Sequence, residues 1–199
     1  DDNRSWMNEQ KNIIFFHNRL TIIDKSSDAS QPMESLDKSV SIVFNGEIYN
    51  HAILRNELEQ QGMKFKTDHS DTEVIINGFI KWGIDVLLEK LDGMYGFALY
   101  EKKTKKLYLA RDKIGIKPLY YFKNQDLLSF SSEIKSLLAI GFERKICKEA
   151  LKHYYKQGYN SGYLTLFQGI KKFVPGEVLS YDVKSGRKFS YNLNNKKIN

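Results

Sequence analysis

From Met94 the chain reads MYGFALYE (94–101), then KLYLARD (106–112), PLYYF (118–122) and LLSFSS (127–132). Each run is short, rich in aromatic and apolar residues, and divided from the next by a Lys-rich, Asp/Gly or Asn/Gln/Asp stretch suited to a turn. Four such runs in succession predict an antiparallel meander. On the N-terminal side, IIFFHNRLTIID (13–24) is rich in β-branched and aromatic types and holds no Gly or Pro, which favours one or two buried strands over an amphipathic helix. Polar residues 25–32 read as a loop. Residues 40–44 form a short apolar run that stops at Asn45-Gly46, a pair that tolerates positive φ and predicts a sharp turn at a strand end. Residues 51–61 place Ile53, Leu54 and Leu58 at helical spacing ahead of Gly62. A second helical run passes through Val74, Ile75, Gly78 and Phe79, with Ser70 or Asp71 as its cap. Beyond the meander, residues 133–140 and 148–157 read as helices, and 166–174 and 177–183 as strands. The Lys- and Asn-rich tail, 184–199, resembles a linker. Strands, then helices, then strands predict an α+β protein with helices covering antiparallel sheets.

Composition narrows the function classes. A chain of 199 residues with 41% hydrophobic, 28% charged and 13% aromatic residues suits one soluble globular domain. No apolar run approaches the ~18 residues of a membrane span, and the opening Asp1-Asp2-Asn3-Arg4 lacks a secretory signal layout, so no membrane and a cytoplasmic setting are expected. The lone Cys147 excludes an internal disulfide framework and fits a reducing compartment. His17, His51, His69 and His153 show no metal-ligand spacing, so no metal is expected. The formal charge of +7 comes from lysines scattered through turn-like stretches such as 101–106. A solvated surface is the expectation, and no nucleic-acid partner.

Four blocks in order carry a family resemblance: HNRLTIID (17–24), FNGEIYN (44–50), SDTEVI (70–75) and ARDKIGIKPLYY (110–121). Flanking matches at Gln31-Pro32-Met33, Trp82-Gly83, 91–94, 132–135 and Pro175-Gly176 extend them over nearly the whole chain. Together they resemble the class-II glutamine amidotransferase domain of asparagine synthetase. The resemblance implies a four-layer αββα N-terminal-nucleophile (Ntn) hydrolase-like fold with two antiparallel sheets. It places the amidotransferase domain at 1–183 and a linker toward a synthetase domain at 184–199. The implied activity is hydrolysis of the side-chain amide of L-glutamine, with ammonia passed to that second domain.

Roles follow position by position from the resemblance. Arg19 offers a fork of donors to the substrate α-carboxylate, and the backbone of Leu20, Thr21, Ile22 and Ile23 lines the same pocket. Asp71, assisted by Glu47, takes the α-ammonium, because either substrate charge is costly to bury unpaired. The Asn45 side chain and the Gly46 N–H form the oxyanion hole, where losing one donor costs ~2.7–4 kcal/mol of barrier. Taken one at a time, these residues read as an ion-pair side chain, a helix cap and a tight turn; their order carries the functional reading. The block 111–118 reads as structural, and His17 as a packed polar residue. The domain itself is expected to need no cofactor, with ATP and Mg belonging to the synthetase domain, and a homodimer is admitted as a possible assembly.

The family's nucleophile is an N-terminal cysteine, which is absent from residues 1–199. The fold is therefore expected to be incomplete at its N-terminus, and the chain alone to be inactive. Cys147 precedes a helical run in a motif-poor stretch and is expected to be incidental. Two other readings stand beside the asparagine synthetase one: an amidotransferase for a sugar or peptide acceptor, and an inactive glutamine- or partner-binding module.

Overall fold

The computed structural model describes residues 2–19, 29–125 and 127–195, without the side chains of Asp2 and Arg19. Strands β1 (Asp2–Met7), β2 (Ile14–Arg19), β3 (Met33–Glu34) and β4 (Val40–Ile48) precede helices α1 (His51–Gln60) and α2 (Asp71–Lys90). Next come β5 (Gly93–Glu101), β6 (Lys106–Arg111), β7 (Tyr120–Lys123) and β8 (Leu128–Ser131), then α3 (Ile134–Ala139) and α4 (Lys148–Gln157). Strands β9 (Ile170–Lys172), β10 (Glu177–Asp182) and β11 (Lys188–Asn192) complete the order. The protein is α+β, as the order of runs predicts.

The predicted meander divides between two sheets. β5 and β6 lie at the centre of a six-stranded sheet, β11-β10-β6-β5-β4-β3, while β7 and β8 belong to a three-stranded sheet, β8-β7-β9. The loop after β6 makes the switch. The buried Asp112 carboxylate accepts the N–H groups of Ile114, Gly115, Ile116 and Lys117 at 3.2, 2.5, 2.8 and 3.0 Å, and that of Tyr95 at 3.2 Å. Arg111 donates to the carbonyls of Gly115, Lys117 and Phe173. This knot satisfies the turning backbone internally, in keeping with the structural reading of block 111–118.

Side chains alternate across the main sheet. On one face Val40, Ile42, Phe44 and Ile48 of β4 pack with Tyr95, Phe97 and Leu99 of β5 under Leu54, Leu58, Val74, Ile75 and Leu87 of the helices. Each large apolar side chain buried this way contributes ~1.5–3 kcal/mol. On the other face Val43, Ala98, Tyr100 and Leu109 meet Phe15, Leu119, Tyr121 and Phe173, so the β1–β2 hairpin and the three-stranded sheet cover that side. α3 packs in turn on β7 and β8. α2 is broken once, at Gly83, whose φ of 76° is left-handed.

Two local expectations are corrected. Asn45-Gly46 is no turn: β4 continues to Ile48, with Asn45 opposite Gly96 and Gly46 opposite Tyr95. A Cβ on Gly46 would sit 2.1 Å from the Met94 carbonyl oxygen. Glycine is required there by the close approach of β5, not by a positive φ. The tail is not simply a linker either. β11 pairs antiparallel with β10 from Glu177↔Asn192 to Tyr181↔Lys188, the Tyr191 hydroxyl donates to Asp85 at 2.6 Å, and Leu193 is buried. Alternating Phe189 and Tyr191 among polar residues carry a strand signal that the lysine and asparagine content obscures.

Candidate active site at the end of strand β4

Among the described residues, β4 is paired along its full length on one side and over a short stretch on the other. Its inner side pairs with β5 along all of Val40–Ile48, whereas β3 covers the outer side only at Met33↔Ile42 and Glu34↔Ser41. Past Ile42 the outer edge is met by side chains. The Phe44 N–H donates to Gln31 Oε1 at 2.6 Å, the Phe44 carbonyl lies 3.1 Å from His17 Nε2, and the Ile48 N–H donates to Asp71 Oδ2 at 3.1 Å. Backbone N–H groups on a strand alternate in direction, so the Gly46 N–H shares the edge used by Phe44 and Ile48.

Asn45 projects to the opposite face from Phe44, toward the smaller sheets. Its Nδ2 lies 3.4 Å from Ser132 Oγ, just beyond β8, which anchors the amide across the space between sheets. Glu47 lies on the same face, opposite Met94 and half-buried.

Asp71 opens α2 behind the Ser70 cap, whose hydroxyl accepts the Glu73 N–H at 3.4 Å. The start of the helix is tightly specified. Glu73 accepts the N–H groups of Lys66 and Thr67 at 2.7 and 2.8 Å and the Thr67 hydroxyl at 2.5 Å, while Arg55 donates to the Thr67 carbonyl at 2.7 Å. Burial raises the Asp71 carboxyl pKa above its ordinary value; the Ile48 and Thr72 N–H groups and the His51 charge pull the other way. A carboxylate whose burial outweighs the N–H groups that hold it is suited to a cationic partner.

The structure thus brings Asn45, Gly46, Glu47 and Asp71 to one end of β4. The Arg19 side chain and all of Leu20, Thr21, Ile22 and Ile23 lie outside the described residues. The backbone of β2, ending at Arg19, passes β4 at the His17–Phe44 contact. Two clefts of about 270 and 170 Å³ lie on the three-stranded sheet, one walled by Phe122 and Phe142, the other by Tyr121, Lys171 and Lys188. Neither is lined by the β4 residues. Gln31, Thr72 and Ser132 appear in the blocks or their flanks without a role; single polar residues carry no periodic signal of what they will meet.

Solved structures share this architecture. The chain superimposes on the glutamine phosphoribosylpyrophosphate amidotransferase of Bacillus subtilis complexed with ADP and GMP with a TM-score of 0.60 at 23% identity, covering 92% of this chain and 35% of that one. An allosteric regulatory enzyme of purine biosynthesis gives 0.59 at 24%, covering 86% and 32%. The fold is that of the Ntn amidotransferases. Residues 1–192 match the glutamine amidotransferase domain model, and the chain belongs to that family. It is 41% identical over 166 residues to glutamine-hydrolyzing asparagine synthetase 1 of Bacillus subtilis, covering 83% of this chain and 26% of the relative. It is 33% identical over 174 residues to amidase chry2 of Gibberella zeae, covering 87% and 25%. The chain spans about a quarter of the length of these curated relatives.

Proposed function

We propose that residues 1–199 form the glutamine-binding, ammonia-donating domain of an ATP-dependent asparagine synthetase. The observation that carries the reading is the outer edge of β4, where Asn45 and Gly46 stand between side-chain-held N–H groups at Phe44 and Ile48, with the Asp71 carboxylate at the far end. The asparagine synthetase relatives supply the substrate class. L-Glutamine carries an α-carboxylate, an α-ammonium and a side-chain amide. Arg19 takes the first in a bidentate contact, with the backbone of Leu20–Ile23 as the pocket wall. Asp71, with Glu47 beside it, takes the ammonium. The Asn45 amide and the Gly46 N–H receive the carbonyl oxygen as it becomes negative, worth ~2.7–4 kcal/mol of barrier per donor. Water and glutamine yield glutamate and ammonia.

None of the residues gathered at β4 is a nucleophile suited to an amide. Cys147 is the one thiol, and its backbone is tied to Leu166 ahead of α4. Polarising donors orient the amide but do not attack it, so residues 1–199 alone bind glutamine without turning it over. The attacking thiol is the N-terminal cysteine that the family resemblance implies. Among the described residues no group of His, Cys, Asp or Glu could hold a metal ion. ATP and magnesium are assigned to the synthetase domain, and no step here runs through them. The ammonia acceptor is likewise set by that domain.

Glutamine binding by calorimetry and ammonia release by the full-length gene product test the proposal together. Arg19→Lys is expected to raise KM by about tenfold through loss of one arm of the bidentate contact. Asn45→Ala is expected to lower kcat by ~10²–10³. Cys147→Ser should leave both unchanged. Wild-type turnover that survives Asn45→Ala and Asp71→Asn undiminished would place the chemistry elsewhere.

A further inference from the structure

Gln31 is 8% exposed and lies in none of the roles assigned above. Its two ends reach the two elements that carry the site. Oε1 accepts the Phe44 N–H at 2.6 Å, one residue before Asn45, and Nε2 faces Thr72 Oγ1 at 3.4 Å, one residue after Asp71. The orientation of the amide is fixed chemically. A backbone N–H only donates, so the oxygen must face Phe44, which leaves the NH₂ for the Thr72 hydroxyl. We propose that Gln31 is a positioning residue, whose buried amide sets the distance between the oxyanion donors on β4 and the ammonium acceptor on α2. This rests on the glutamine-site reading above.

β3 stops pairing at Ile42, and among the described residues no strand pairs with the outer side of β4 where Asn45 and Gly46 lie. Among the described residues, Gln31 holds it at the Phe44 N–H, His17 at the Phe44 carbonyl and Asp71 at the Ile48 N–H. Gln31 also bonds to α2, at Thr72, and is not itself a proposed ligand of the substrate. Glutamine bridges the same gap, its ammonium at Asp71 and its amide carbonyl at Asn45 and Gly46. A clamp that spans strand and helix therefore gauges the substrate's length. Without it the Phe44 N–H is buried with no acceptor, and β4 relaxes away from α2 to find one. A shift of ~1 Å at a reacting group costs on the order of 10²-fold in rate.

The experiment uses the full-length gene product with steady-state glutamine hydrolysis and thermal unfolding measured side by side. Gln31→Met keeps length and volume but removes both hydrogen bonds. It should lower kcat/KM for glutamine by ~10–10²-fold at a temperature where the variant is fully folded. Thr72→Val should show a smaller loss of the same kind, and Thr72→Ser, which restores the hydroxyl, should recover it. In an Asn45→Ala background the Gln31→Met penalty should shrink, because the donor being positioned is gone. A lowered melting point with kcat and KM unchanged makes Gln31 a packing residue and overturns the inference. If Gln31→Met does not fold, Thr72→Val decides: kinetics equal to wild type overturn the inference, and a loss rescued in Thr72→Ser supports it. Failure of the underlying reading looks different. There Asn45→Ala and Asp71→Asn leave glutamine turnover intact, whereas failure of the clamp alone leaves those two defective and Gln31→Met normal.

Discussion

At Asp71 burial raises the carboxyl pKa above its ordinary value of 3.8, so the fold favours the neutral acid. A group whose folded pKa is raised gives stability that is full below the unfolded value and lost as pH climbs through the folded one. The unliganded protein should therefore lose stability as pH rises from about 4 through the raised value. Asp71→Asn retains an acceptor for the Ile48 N–H and has no charge to bury. Its melting point at pH 7 should equal or exceed that of wild type, while its affinity for glutamine falls about tenfold or more. A bound ammonium reverses the penalty, so glutamine should raise the wild-type melting point more than that of Asp71→Asn. Melting curves from pH 4 to 8, with and without glutamine, check this. A variant that binds glutamine as tightly as wild type removes Asp71 from the site.

Between residue and fold, α2 places Asp71 and the network at its first turn places α2. Ser70 supplies one cap bond, but Glu73 does more: it closes the segment 66–70 by accepting two backbone N–H groups and the Thr67 hydroxyl. Glu73→Ala leaves these donors without their acceptor in a buried place. The expected cost is ~3 kcal/mol, read as a lower midpoint in urea denaturation at unchanged slope. Ser70→Ala should cost only ~1 kcal/mol. If the two variants lose stability equally, the cap and not the loop network fixes the helix start. The sequence marks the helix and its cap plainly, through Ser70-Asp71 and the apolar spacing that follows. It does not mark Thr67 as the residue that both Glu73 and Arg55 hold, because that closure depends on where α1 and the loop settle.

For the whole molecule the revealing element is β11. It forms the outer edge of the six-stranded sheet, and its Tyr191 reaches across to Asp85 of α2. Deleting residues 184–199 should bare the β10 edge, remove Leu193 from the helix-side core and lower the melting point by several degrees, with greater aggregation at equal concentration. A true linker would be removable without either effect. The four-layer arrangement follows from the main sheet being apolar on both faces. Helices cover Ile42 and Leu99, while the smaller sheets cover Val43 and Leu109.

The class of fold, most of the strands and helices, and Asn45, Gly46, Glu47 and Asp71 as candidates are legible in the residues alone. These are local or ordered properties: alternation of apolar residues, helical spacing at Leu54 and Leu58, and short blocks in a fixed order. Long-range packing settles the rest: the four runs from Met94 divide between two sheets, Asn45-Gly46 lies within a strand, residues 188–192 extend the main sheet, and Gln31 joins β4 to α2. Each depends on what approaches from far along the chain. Tyr95 and Met94 come within a Cβ of Gly46, the Asp112 knot redirects β7, and β10 offers its edge to the tail. Pattern fixes what a segment can become, while pairing partners and close approaches, set by packing between distant segments, fix what it does become.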